Sequence, residues 1–279
     1  MITNAETIRP GTVAVVGIPF DANSSFMRGS AQAPVHIRDV IKSGVSNMCS
    51  ESGIDLASRA DFIDLGDMSI NNESDAIETI ETTTSELLQR DIRLISLGGD
   101  HAMTYPIIKS YQKKWGQLEI VHLDAHPDLY DSYDGNRLSH ACPFARIMEE
   151  KLASHLVQIG IRTLNPHQEQ QAERFGVEII TVPQLENAAR IELVGPLYLS
   201  IDLDVLDPAF APGVAHREPG GLTTRQVIEL IQQLKAPIAG ADIVEFNPAR
   251  DPSEMTAMVA FKLLKEVAAR MLERPLDFS

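Results

Sequence analysis

Six side chains able to ligate a metal fall into three short clusters: His101 in GGDH, then Asp124, His126 and Asp128 in DAHPD, and Asp202 and Asp204 in SIDLD. Two histidines and four carboxylates are too many donors for one catalytic zinc, which takes three protein ligands and a water. Carboxylate and imidazole together suit two harder divalent ions such as Mn(II). Such a pair points to hydrolytic chemistry, because coordination lowers the pKa of water and two ions roughly 3.5–4 Å apart can hold the resulting hydroxide. In DAHPD the three donors alternate, so an extended segment would turn them all the same way. The same spacing relates Asp202 to Asp204, and two buried carboxylates at that separation repel unless a cation lies between them. His122, inside the apolar run before DAHPD, is expected in the core or behind a ligand. Asp207 before Pro208 reads as a turn residue.

Two further side chains have the chemistry a hydrolase needs. His140 sits in a polar stretch entering a helix that Pro143 is expected to start, and histidine is the usual group for moving a proton near neutral pH. Glu245, in VEFNP, stands where a carboxylate could receive a cationic group.

These residues have to be positioned by strands. Apolar, β-rich runs occur at 12–17, 61–65, 92–97, 118–123, 156–160, 177–181, 197–203 and 238–244. Several are near-continuously apolar, without clean alternation, as expected of strands covered on both faces. Helical patterns lie between them, for instance at 74–90, 223–234 and 254–272. Repeated strand–helix units predict an α/β fold, with three α-β-α layers around a mainly parallel sheet of roughly eight strands. Ligands in such sheets bind outside the carboxyl ends of the strands. All three clusters and Glu245 fall at or just after a run, so separate segments would converge on one sheet edge. No repeat, low-complexity tract or Pro/Gly-rich linker divides residues 1–279, which favours one domain.

With 24 basic against 39 acidic residues the net charge is −15, which argues against nucleic acid or an anionic membrane as partner. The 44% hydrophobic content is enough for a large core. No apolar run approaches the ~20 residues a membrane span needs. The opening MITNAETIRPGT has neither a basic n-region nor an apolar h-region, and two cysteines do not make a disulfide framework. A cytoplasmic setting is the expectation.

The motifs together resemble the ureohydrolases, the family of arginase, agmatinase and their relatives. The likeness runs from GIPFDANSSFMRGSAQAPVHIRD through GGDH, DAHPDLYD, SHACPFARIME and SIDLDVLDPAFAPG to GADIVEFNPARD and the helix containing MTAMVA. NSSF, GVAHREPGG and VEFNP are most similar to plant-type arginases. The resemblance implies hydrolysis of a guanidinium group to urea at a dinuclear manganese centre, two Mn(II) per chain. One ion would be held by His101, Asp124, Asp128 and Asp202, the other by His126, Asp124, Asp202 and Asp204, with Asp124 and Asp202 bridging. Glu245 would bind the guanidinium and His140 would shuttle protons. A homotrimer or homohexamer is implied as well.

The substrate is less determined. L-arginine is favoured over agmatine or another guanidino acid by the plant-type motifs. Arg217 and Arg137 are candidates to pair with an α-carboxylate, whereas Tyr130, Asp131, Tyr133 and Asp134 suit a distal ammonium; His216 is a further rim candidate. The rim lacks the Asn and Ser pattern of animal-type arginases and the GTGTPEP pattern of many agmatinases. Two rivals stand beside this reading. A deacetylase-like single-zinc hydrolase would not need His101, Asp128 or the full ligand set, and a silent scaffold homologue would be expected to have lost a ligand.

Overall fold

A computed structural model describes residues 8–116 and 118–276. Eight strands, β1 (Val13–Gly17), β2 (Phe62–Asp67), β3 (Arg93–Leu97), β4 (Leu118–Leu123), β5 (Ala153–Ile161), β6 (Glu178–Thr181), β7 (Leu197–Asp202) and β8 (Ile238–Val244), form one sheet. Every pairing is parallel, and the order is β2-β1-β3-β8-β7-β4-β5-β6. The late strands β7 and β8 thus fill the space between β3 and β4.

Helices cover both faces. One carries α1 (Ala33–Ser43), α6 (Thr224–Gln233) and α7 (Met255–Glu273), which bury Ile37, Val40, Val227, Ile231, Val267 and their neighbours against one set of strand side chains. The other carries α2 (Ala76–Leu88), α3 (Thr104–Trp115), α4 (Pro143–Glu149) and α5 (Pro166–Phe175). Successive residues of β1 show the division: Val13 and Val15 join the first core, Ala14 and Val16 the second. Period-two alternation sends neighbours to opposite faces, and with both faces covered all five residues of β1 are buried. Each fully buried Val, Leu or Ile contributes about 1.5–3 kcal/mol. Among the described residues, no helix is long and apolar enough to cross a membrane.

The central strands β3, β8, β7 and β4 are contiguous in the sheet. Their carboxyl ends deliver His101, Glu245, Asp202 with Asp204, and Asp124 to Asp128. Gly99 allows the β3 end to come in close: a Cβ there would lie 1.6 Å from the Phe20 carbonyl oxygen. The Gly99 carbonyl also accepts a hydrogen bond from the Glu245 N–H at 3.0 Å, tying the ends of β3 and β8 together.

Candidate metal centre

The six ligand-type side chains meet at one sheet edge. His101 Nδ1 lies 3.3 Å from Asp124 Oδ2, 3.2 Å from Asp128 Oδ2 and 3.3 Å from Asp202 Oδ2. His126 Nδ1 lies 3.0 Å from Asp204 Oδ2 and 3.4 Å from Asp124 Oδ1. One oxygen of Asp124 therefore faces each histidine, the arrangement a bridging carboxylate needs. Asp202 reaches the His101 side with Oδ2, while its Oδ1 accepts the Asp204 N–H at 2.8 Å.

Neither aspartate cluster is extended. Asp202 ends β7 and caps a short 3-10 turn, Leu203–Val205, so Asp204 is carried round by the turn. In DAHPD, Asp124 Oδ1 accepts the His126 N–H and Asp128 has φ 50°. Local side-chain-to-backbone bonds have replaced the extended chain expected from the spacing. Glu245 also has a positive φ, 64°. Left-handed backbone costs a non-glycine residue about 1–3 kcal/mol and persists where surrounding structure enforces it.

The donors fit divalent cations. His101 is fully buried and its Nδ1 makes no hydrogen bond among the described residues, although three carboxylate oxygens converge on it. Burial and mutual repulsion raise Asp202 well above the ordinary carboxylate range, and burial raises Asp128 and Asp204 to about 6 each. Asp124, despite its burial, is held well below that range by His122, His101 and His126. Positive charge placed among these oxygens relieves the repulsion. His122 is spatially close enough to be mistaken for a ligand, but both its nitrogens are engaged. Gln158 Nε2 donates to Nδ1 at 3.0 Å, and Nε2 faces Asp124 Oδ2 at 2.7 Å. Burial lowers its pKa to about 4, and Phe144 stacks on its ring at 3.9 Å. It is a support for Asp124, as its place in the apolar run indicated.

His140 and Glu245 form a pair beside this cluster. His140 Nδ1 is 2.9 Å from Glu245 Oε1, which also accepts the His101 N–H at 2.9 Å. His140 Nε2 meets the Ser25 hydroxyl at 2.8 Å. Burial disfavours the imidazolium, yet the Glu245, Asp128 and Asp100 carboxylates carry the His140 pKa up to about 9. Both side chains line a cavity of about 180 Å³, together with His126, Asp128, Asp202 and Asp204.

The rim departs from what residue types alone indicated. Tyr130 and His216 do line the cavity; the His216 ring stands 5.2 Å from that of His140, and burial lowers its pKa. Arg217 does not reach it. Its exposed guanidinium donates to the carbonyls of Pro212 at 2.8 Å and Arg250 at 3.1 Å. Arg137 is turned away too, bonded to Asp131 at 2.8 Å and Glu149 at 2.7 Å. Backbone carbonyls and nearby carboxylates have taken both guanidinium groups. Arg217→Ala is therefore expected to leave kcat/KM for arginine and for agmatine within about threefold of the parent, as is usual for an exposed site. A selective loss with arginine would return Arg217 to the rim.

Tyr133, the neighbour read together with Tyr130, also lines the cavity, whereas Ser25, Thr163, Gln168 and Glu218 were missed. Ser25 belongs to the NSSF segment, so a signal existed, but nothing local shows that it meets His140. Glu218 is held by its carbonyl, which accepts from Arg162 Nε at 3.0 Å. Its carboxylate lies 3.9 Å from His126 Nε2.

A family model described as the Arginase family matches residues 11–269. The chain belongs to the arginase family. Arginase 1, mitochondrial, of Arabidopsis thaliana is 43% identical over 93% of this chain and 81% of its own. A solved arginase from Medicago truncatula matches with a TM-score of 0.88 and 39% identity, covering 93% of this chain and 87% of that one. An agmatinase of Bacillus cereus is 33% identical over 91% of this chain and 90% of its own. The arginase-family relationship accounts for the fold, and a dinuclear centre agrees with the two carboxylate–histidine groups that share Asp124.

Proposed function

We propose that this protein hydrolyses the guanidino group of L-arginine to urea and an amine, with two Mn(II) per chain as its cofactors. The observation that carries the reading is the sharing of Asp124 between His101 and His126, beside the His140–Glu245 pair and within one cavity. When bound, the ions supply Lewis acidity that makes water a competent nucleophile at neutral pH. His101, Asp124, Asp128 and Asp202 are assigned to one ion, and His126, Asp124, Asp202 and Asp204 to the other.

The remaining work falls to the chain's own side chains. Glu245 receives the guanidinium: its two contacts described above use Oε1, and Oε2 is the oxygen offered to a cation. His140, protonated through its neighbouring carboxylates, is placed to give a proton to the departing amine nitrogen. Greater identity to the plant arginase than to the agmatinase supports arginine as substrate.

Agmatine is the second reading, and one observation favours it. The rim presents the Glu218 carboxylate to the cavity, while both arginines available for an α-carboxylate are engaged elsewhere. A carboxylate at that place suits a distal ammonium, which both substrates carry, and disfavours the α-carboxylate that only arginine has. Urea release from Mn(II)-loaded protein with L-arginine, agmatine and 4-guanidinobutyrate separates these readings. The expected result is the highest kcat/KM with arginine; turnover of agmatine alone would transfer the assignment, and no urea from any of them would overturn it. Elemental analysis is expected to give two ions per chain, and saturation at one would remove the dinuclear centre. A homotrimer or homohexamer in a cytoplasmic setting belongs to the same proposal and rests on the family likeness and the sequence.

A further inference from the structure

A buried polar chain runs from His101 away from the cavity and ends on a carboxylate that no cation touches among the described contacts. His101 Nε2 lies 2.8 Å from Ser200 Oγ. Ser200 Oγ donates to Asp242 Oδ1 at 2.6 Å. The other oxygen, Oδ2, accepts from Thr104 Oγ1 at 2.8 Å and from the Tyr198 hydroxyl at 2.9 Å. His101, Thr104, Tyr198, Ser200 and Asp242 are all 0% exposed. Ser200 and Asp242 are register partners on the adjacent strands β7 and β8, so the sheet sets them side by side.

Counting donors fixes where the hydrogens lie. A carboxylate only accepts, and each hydroxyl has a single hydrogen to give. Thr104, Tyr198 and Ser200 each give theirs to Asp242. Ser200 then has only lone pairs to offer His101, so the hydrogen between them belongs to Nε2. A neutral imidazole with its hydrogen on Nε2 keeps a lone pair on Nδ1. That is the atom facing Asp124, Asp128 and Asp202. A buried carboxylate without a cationic partner is costly, and here three hydroxyls satisfy it.

We propose that Asp242, acting through Ser200, is a positioning residue that holds His101 in the Nε2–H tautomer and so keeps Nδ1 open to a divalent cation. Asp242 lies two side chains, Ser200 and His101, away from the proposed ion and has no part in the reaction itself. The inference rests on the metal-binding reading of this site, although the tautomer can be measured without metal. Asp242→Asn reverses the chain. Its carbonyl still suits Thr104 and Tyr198, which turns the amide NH2 toward Ser200. The Ser200 hydrogen is then free to point at His101 Nε2, and the imidazole hydrogen moves to Nδ1, where it blocks the ligand atom.

The test compares the parent protein with Asp242→Asn, Ser200→Ala and Tyr198→Phe in two measurements. The first is magic-angle-spinning NMR of the full-length, metal-free protein labelled with 15N-histidine. It is recorded at a pH high enough that the imidazolium charge favoured by the three carboxylates facing His101 is lost, so that the two tautomers of neutral imidazole are distinguished. The second is Mn(II) binding at equilibrium, read as ions per chain and as affinity. The parent is expected to show His101 as Nε2–H and to bind two ions. Asp242→Asn should move the hydrogen to Nδ1 and weaken one of the two ions by about 10–100-fold, the range for loss of a support behind a metal ligand. The ion on the His126 side should be retained. Tyr198→Phe, which removes one hydroxyl from Asp242 and leaves the Ser200 link, should keep the parental tautomer and affinity. If Asp242→Asn does not fold, Ser200→Ala reports on the same link through mixed tautomers and a smaller loss in affinity. Parental tautomer and affinity in Asp242→Asn, or in Ser200→Ala where that variant stands in, would overturn the proposal. So would a loss in Tyr198→Phe equal to that in Asp242→Asn, since general loosening of the core would then explain both. A parent that binds no metal yet shows Nε2–H would overturn the metal reading and leave the tautomer relay standing.

Discussion

Asp124→Ala is expected to lower kcat for urea release by more than about 100-fold and to leave fewer than two ions per chain. Loss of a residue that merely supports a metal ligand costs about 10–100-fold. Asp124 stands nearer the chemistry than that, with Oδ2 at 3.3 Å from His101 Nδ1 and Oδ1 at 3.4 Å from His126 Nδ1. On the bridging assignment proposed above, its removal should weaken both ions together. It also strips His122 of the oxygen it holds at 2.7 Å, so a second buried imidazole loses its partner. Asp202→Ala should behave in the same way, and His101→Ala should be milder because its imidazole serves one ion. Initial rates and elemental analysis on the same preparations check this. An Asp124→Ala enzyme with two ions and more than about a tenth of parental kcat would end the bridging assignment.

His140→Ala should reduce kcat by about 10²–10⁴-fold, the usual contribution of a positioned proton donor, with metal content unchanged. KM should move little, because a donor to the leaving nitrogen acts in the transition state. Glu245→Gln should instead raise KM as well as lower kcat, since that carboxylate is proposed to meet the guanidinium in the ground state. The pair also predicts a pH signature in the metal-free protein. The folded-state pKa of His140, about 9, lies above its ordinary value of 6.5. A raised histidine pKa contributes stability that is fully present below about 6.5 and is lost as pH rises through about 9. Thermal unfolding across that window should show a loss in the parent that is absent in His140→Ala. Equal pH dependence in the two proteins would mean that His140 is not charged beside Glu245.

Much of the centre could be read from one dimension because its signals are local. A donor type, a preceding apolar run and a glycine pair at a strand end are all properties of short segments. Each of the eight apolar runs became a parallel strand, since strands covered on both faces need little more than continuous apolar side chains. The six donors and Glu245 follow from the same logic, because each closes such a run. What chain order could not convey was that β7 and β8 insert between β3 and β4. That crossing places Asp202 against His101 and Ser200 against Asp242. The two aspartate clusters converge through turns and a left-handed Asp128, not through extended chain, because side-chain oxygens capture neighbouring N–H groups once the strand ends.

The rim was decided by tertiary structure alone. Arg217 and Arg137 have the right chemistry for a carboxylate, but a long guanidinium goes to whichever acceptors surround it. Those acceptors, the Pro212 and Arg250 carbonyls and the Asp131 and Glu149 carboxylates, lie outside the cavity. Ser25 reaches His140 only because the loop after β1 folds over the end of β3. Which donor side chains stand at a strand end is thus a matter of residue type and position, which sequence by itself determines. Substrate contact is a matter of which loops meet above that end, and only the packed chain places them.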